Sequence, residues 1–275
     1  MITKHDLMHG FQSLPIRGQA VIAHGSLKKF GRVEGGARTV IDALIETVDS
    51  LIMPAFTYQT LVVPEVGPPN NAMDYGAGEA NTDAVPFTRD LPVDSEIGIL
   101  AETLRRRAPE ERTTHPTHSF SGVNARYALD KQTLFDPLAP IGALAERNGW
   151  VVLMGVDHEA GADGVNHCVN TSIHYAEKLA GRKQFIRWAL SKPDQHPARI
   201  VECPGFPGDS AGFDALAEML EADTDSVIIG DARIEAVRLK RLFEVVQNVI
   251  KENPLALLCE KKDCARCNAV RASVS

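Results

Sequence analysis

Apolar residues recur along the chain in two alternating rhythms. Val21-Ile22-Ala23-His24 is a short β-type run closed by Gly25-Ser26. Gly35-Gly36 opens a segment in which Val40, Ile41, Leu44 and Ile45 return at helical spacing and form one apolar face. Leu51 to Pro54 reads as a second strand, closed by a proline that has no N–H to give to a ladder. Strand, helix and strand in such close succession predict a βαβ unit with parallel pairing.

The rhythm then breaks. Over about 63–94, Pro64, Pro68, Pro69, Gly76, Gly78 and Pro86 punctuate an irregular, flap-like insertion. Ser95 is placed to cap a helix carrying Ile97, Leu100 and Leu104 that ends before Pro109. Val151 to Met154 is strand-like and runs into a Gly- and Asp-rich loop, Gly155 to Asn170. A helix from Thr171 to Ala180 follows, stopped by Gly181. Strands are expected at Phe185–Leu190, Ile200–Cys203 and Val227–Ile229, and a helix at Phe213–Leu220. A long amphipathic helix through Leu242, Val245, Val246 and Val249 must end at Asn253-Pro254. This alternation predicts an α/β fold in one domain over 1–275. A single mixed, largely parallel sheet is flanked by helices and followed by a Cys-rich tail at 254–275.

Charge and composition then narrow the chemistry. Twenty-nine Lys and Arg against 36 Asp and Glu give a net charge of −7. Phosphate neutralisation needs clustered cations, so nucleic acid is not an expected partner, whereas a small cationic substrate suits the sign. With 44% hydrophobic and 24% charged residues, disorder, collagen and coiled coil are excluded. Apolar runs such as Trp150 to Met154 fall far short of the ~20 residues of a membrane span. Met1 to Asp6 has no apolar run of the secretory kind. A cytoplasmic location without membrane partners is therefore expected, with a homodimer left open as an assembly.

The densest polar constellation is Asn166 to Glu177. Asn170 is a good N-cap, which puts His174 in the first full turn of the helix and Glu177 one turn further on the same face. A carboxylate beside an imidazole favours the protonated ring, and so suits a general base that must accept a proton. The other reading of the spacing is an ordinary i,i+3 surface pair.

Several segments together resemble the antibiotic (aminoglycoside) 3-N-acetyltransferase family. They are His24-Gly25-Ser26-Leu27, Gly35 to Leu44, Met53-Pro54-Ala55-Phe56-Thr57, Thr114 to Phe120, Met154 to His158 and Asn170 to Glu177. They occur in the family's order from about residue 20 to about 245. Many members have His-Ser-Ser-Leu where this chain has His24-Gly25-Ser26-Leu27, and Pro-Thr-Phe-Thr where it has Pro54-Ala55-Phe56-Thr57.

The resemblance implies acetyl transfer from acetyl-coenzyme A to the 3-amino group of a deoxystreptamine aminoglycoside. His174 would be the base and Glu177 its partner. Backbone N–H groups of the His24-Gly25-Ser26 turn would meet the oxyanion, and a hydroxyl of Ser26 or Thr171 would supply the proton taken by the leaving thiolate. The cofactor is expected at His24, Gly25, Ser26, Leu27, Lys28 and Lys29, with His118 and Ser119 nearby; a solvated loop is the other reading of the two lysines. Arg32 to Ala37 also fits a superfamily pattern for other N-acetyltransferases, but six loose positions arise by chance. Asp163, Glu177 and Asp209 are the expected partners of acceptor amines.

Two further readings come from His and Cys placement. His158, His167, Cys168 and His174 would serve a metal-dependent hydrolase, although they match no fixed zinc spacing. Cys259, Cys264 and Cys267 are spaced for a structural zinc completed by Cys203 or a histidine. The same spacing occurs in iron–sulfur proteins with a distant fourth cysteine, and the remaining reading is three unliganded thiols in a basic tail.

Overall fold

A computed structural model of the protein describes residues 1–76, 81–158, 170–192 and 196–274. Its elements are, in order, α1 Lys4–Ser13, β1 Ala20–Gly25, α2 Gly36–Thr47, β2 Ser50–Pro54 and β3 Leu61–Val62. Next come α3 Ile99–Arg107, β4 Phe120–Val123, α4 Arg126–Leu129, α5 Ala139–Glu146 and β5 Trp150–Met154. The second half holds α6 Thr171–Leu179, β6 Phe185–Ser191, β7 Arg199–Gly205, α7 Ala215–Leu220, β8 Thr224–Ile229, β9 Ala232–Arg238, α8 Leu239–Glu252 and α9 Ala265–Val274.

The main sheet is six-stranded and mixed, in the order β4-β2-β1-β5-β9-β8. β1 runs parallel to both β2 and β5, and β4, β9 and β8 add antiparallel strands outside them. β1, β2 and β5 are buried along their whole length, which is why they read as continuous apolar runs rather than as alternation. Helices α1, α2 and α3 pack together as one group, and α5, α6 and α8 as another. β6 and β7 do not join this sheet; they pair with β3 in a separate antiparallel one.

The 63–94 insertion stays irregular where it is described, and it lies along β6. The Asn71 side chain bonds both the N–H and the carbonyl of Ile186, and Tyr75 meets Trp188 edge-on at 6.2 Å. Ser95 does not cap α3; the helix starts later, after Gly98 at φ 97°, a backbone conformation that suits glycine.

Parallel pairing brings the carboxyl ends of β1, β2 and β5 to one edge of the sheet. At or beyond that edge stand His24 near the end of β1, Phe56 after β2 and, further along the chain from β5, α6. In open α/β sheets this is where ligands bind.

Candidate active site

Asn170 caps α6, its side chain accepting the Ser172 N–H at 3.1 Å, as its place in the sequence predicted. The cap fixes the first turns, so His174 and Glu177 project from one face. His174 Nδ1 lies 2.8 Å from Glu177 Oε2. The second carboxylate oxygen is ion-paired with Arg182, whose guanidinium also donates to the carbonyls of Pro254 (3.0 Å) and Ala256 (2.6 Å). Glu177 is 0% exposed. A buried carboxylate is costly unless fully paired, and here both oxygens have partners. The pairing also fixes the ring: Nδ1 faces the carboxylate, so Nε2 is the atom left for chemistry.

His174 lines a cavity of about 330 Å³ together with His24, His118, Thr171, Phe206 and Arg187. Phe206, from the segment after β7, stacks on the His174 ring at 4.5 Å and 7°, and Phe213 meets its edge at 4.9 Å. His118 packs between Phe56 and the same Phe206. Burial pushes the His24 imidazole down to about 3, with His158 adding to the effect, so the ring is neutral at pH 7. Burial, then His115 and His174, push His118 well below its usual range too. Nδ1 of both rings is buried without a hydrogen-bond partner among the described residues. Thr171 Oγ1 lies 3.4 Å from His24 Nε2. A wider cleft of about 770 Å³ lies across the 110–116 segment; it contains His115 but not His118 or His174, so the acid–imidazole pair belongs to the smaller cavity.

The expected site residues separate here. His24 and His118 reach the cavity with His174. Ser119 does not: it is sealed, donating to the Ala55 carbonyl at 2.6 Å and bonded to Arg112. The Ser26 N–H cannot serve an oxyanion, because it donates to Met154 O at 3.0 Å and closes the β1–β5 ladder. Gly25 is the end of β1, where a Cβ would come within 2.9 Å of Met154. Leu27 packs against the core, and Lys28 and Lys29 stand exposed on the single 3-10 turn Leu27–Phe30, outside the cavity lining.

The acceptor-side carboxylates also need correction. Glu177 is sealed behind His174, does not line the cavity, and has one oxygen on Arg182 and the other on the imidazole. Asp209 holds the Ala211 N–H with one oxygen and turns the other toward Cys264, although its neighbours Gly208 and Ser210 line the cavity. Asp163 lies outside the described residues, as do Asn166, His167 and Cys168. Among the described residues, the carboxylate that lines the cavity is Glu96. His158, from the hydrolase reading, is buried against Asn170 rather than in the cavity. Among the described residues, the only grouping of potential metal ligands is Cys259, Cys264 and Cys267.

Sequence reasoning missed Phe206, Arg187, Arg266 and Glu96, all of which line the cavity. Arg187 lies on β6 and donates to the carbonyls of Asn71 and Ile186. Burial, then the neighbouring Arg266, push it down to about 10, so two cations face the same space. An arginine inside a short strand was the one local signal.

The molecule thus carries a carboxylate-held histidine in a cavity at the carboxyl edge of a mixed α/β sheet. Residues 22–251 match the model of the aminoglycoside 3-N-acetyltransferase family, and the chain belongs to that family. It is 27% identical over 190 residues to the SPbeta prophage-derived aminoglycoside N(3')-acetyltransferase-like protein YokD of Bacillus subtilis (strain 168). That match covers 64% of each chain, under two thirds of the relative's length. A variant of aminoglycoside acetyltransferase AAC(3)-IVa, solved in complex with a gentamicin, shares the fold at a TM-score of 0.76 and 21% identity, covering 99% of this chain and 97% of that one. AAC-IIIb in a binary complex with CoASH superposes at 0.71 with 19% identity, over 91% and 96%. Among the described residues no helix is long and apolar enough to cross a membrane.

Proposed function

We propose that the protein transfers acetyl from acetyl-coenzyme A to the 3-amino group of a deoxystreptamine aminoglycoside, with His174 as general base. The observation that carries this is the His174–Glu177 pair, 2.8 Å apart, set in a cavity at the carboxyl edge of the parallel strands. The gentamicin and CoASH complexes of the two structural neighbours support the same substrate pair.

An alkylammonium has no lone pair to attack with. His174 Nε2 removes one of its protons while Glu177 holds the ring's orientation and balances the imidazolium charge. The amine nitrogen then bonds to the thioester carbonyl carbon, and the carbonyl oxygen becomes an oxyanion. Because the Ser26 N–H is occupied, the His24 ring and the Thr171 hydroxyl are the donors we assign to that oxyanion. The C–S bond breaks as the carbonyl re-forms; the His174 imidazolium, directly or through the Thr171 hydroxyl, protonates the leaving thiolate, and the neutral imidazole so restored takes the second proton from the new amide nitrogen. Two polar atoms without partners among the described residues, His24 Nδ1 and His118 Nδ1, fit a cavity built to receive a polar ligand. Arg187 and Arg266 are the cations we assign to the coenzyme's anionic end, and Glu96 is the carboxylate for the acceptor's amines. Acetyl-coenzyme A is an intracellular metabolite, which supports a cytoplasmic location.

His174→Ala tests the assignment. Thiol release over a panel of aminoglycosides should fall by about 10²–10⁴-fold, the usual worth of a general base, while equilibrium binding of acetyl-coenzyme A persists. Wild-type turnover by this variant would overturn the role of the histidine.

A further inference from the structure

Three thiols converge beside the active site without taking part in its chemistry. Cys259 comes from the loop after α8, Cys264 stands immediately before α9, and Cys267 sits in the first turn of that helix. Their sulfurs lie within 4.8 Å of one another, with Cys259 and Cys267 buried. Four-coordinate zinc with Zn–S bonds of about 2.3 Å places its sulfurs about 3.8 Å apart, so the trio is nearly preset for such an ion. Asp209, 55 residues earlier in the chain, brings one oxygen to the edge of the cluster: Oδ2 is 3.8 Å from Cys264 Sγ, although it is not within 4.8 Å of all three sulfurs. Tetrahedral zinc sets a sulfur–carboxylate edge of about 3.6 Å. The other oxygen is held by the Ala211 N–H at 2.8 Å, which aims the carboxylate as an outer partner aims a metal ligand. Arg271 donates to the Cys259 carbonyl and bonds Asn268, bracing the same loop. Cys203 is not in the group; it sits opposite Arg187 in the β6–β7 ladder.

We propose that Cys259, Cys264 and Cys267, with Asp209 as the fourth ligand, form a closed zinc site. Thiolates select a soft divalent ion, and four protein ligands leave no open position, which marks the site as structural. Three sulfurs and a carboxylate drawn together with no cation among them would be mutually repulsive once ionised, whereas a divalent ion turns that arrangement into cohesion. The site joins the 208–210 loop to the 259–267 segment. Both contribute to the cavity wall, through Gly208, Ser210 and Arg266.

The test is metal content of the full chain, purified without added metal, together with cobalt substitution. We expect one zinc per chain, a thiolate-to-cobalt charge-transfer band typical of tetrahedral coordination, and protection of the three thiols from alkylation by zinc. Cys264→Ser should purify without the ion, and Asp209→Asn should release zinc to a chelator at least about tenfold faster. If the variants do not fold, the cobalt spectrum and alkylation of the unmodified chain still decide the question. Failure of that chain to take up either zinc or cobalt, a disulfide among the three thiols, or an iron–sulfur spectrum would overturn the proposal. Unchanged zinc release by Asp209→Asn would overturn the part given to the aspartate.

Discussion

Among the described residues two glutamates are buried against arginines, and they are put to opposite uses. On α3, Glu102 accepts the Val93 N–H at 3.0 Å, both ends of the Arg105 fork at 2.8 Å, and Arg106 Nε at 2.6 Å. Burial pushes its carboxyl up, but the guanidiniums and the amide outweigh it and bring it down to about 2. Every strong acceptor position is spent on holding the chain between Val93 and Arg106. On α6, Glu177 gives one oxygen to Arg182 and keeps the other for an imidazole that lines a cavity. The Glu–Arg pair is common to both; what separates a fastening from a catalytic support is the one oxygen withheld from the cations.

The comparison breaks most violently at Arg182. Arg182→Met leaves a buried carboxylate with half its pairing and should cost about 3–5 kcal/mol of stability, read as a large fall in Tm, with activity lost alongside. Glu177→Gln removes the charge but keeps the shape. Acetyl transfer should drop on the order of 10²-fold with a much smaller change in Tm, and equal activity would show that the withheld oxygen does nothing.

Glu102→Gln should do the reverse, lowering Tm at neutral pH and leaving turnover unchanged. Because the folded carboxyl titrates below its ordinary 4.5, its contribution is present above that value and is lost as pH falls toward about 2. The Tm difference between wild type and the Gln variant should therefore close across that window, and a difference that persisted at pH 2 would remove the pairing as its cause. The smallest effect belongs to Lys28→Ala with Lys29→Ala. These exposed cations should change only the KM for acetyl-coenzyme A, by a few-fold at low salt, and the effect should fade as salt is added.

Much of the frame was legible because its causes are local. β1, α2 and β2 declared themselves through short apolar runs and a helical stripe, and α6 through its Asn170 cap. The His174–Glu177 pair could be read because i,i+3 spacing on a helix is itself a contact. α1 escaped, although Thr3 and Asp6 form a capping box and Leu7 and Phe11 give its buried face. β9 escaped because Arg233 and Glu235 alternate with Ile234 and Ala236 in a stretch that gave way at once to α8.

The third member of the relay was not legible at all. Arg182 lies five residues beyond Glu177 and outside α6, so no periodicity joins them. Nor did spacing show that Asp209 turns away from the cavity, that Ser119 is sealed, or that Phe206 covers the histidine. Each of those follows from segments far apart in the chain meeting at one edge of the sheet.

The same arginine sets an order of events in the making of the protein. Arg182 holds Glu177 while its own guanidinium is gripped by the carbonyls of Pro254 and Ala256, more than seventy residues downstream. His174 is made eighty residues before that grip can form, whereas β9, the last strand of the sheet, ends only sixteen residues ahead of Pro254. Until the 254–256 segment docks, the Arg182 end of the Arg182–Glu177–His174 chain lacks its two carbonyl anchors.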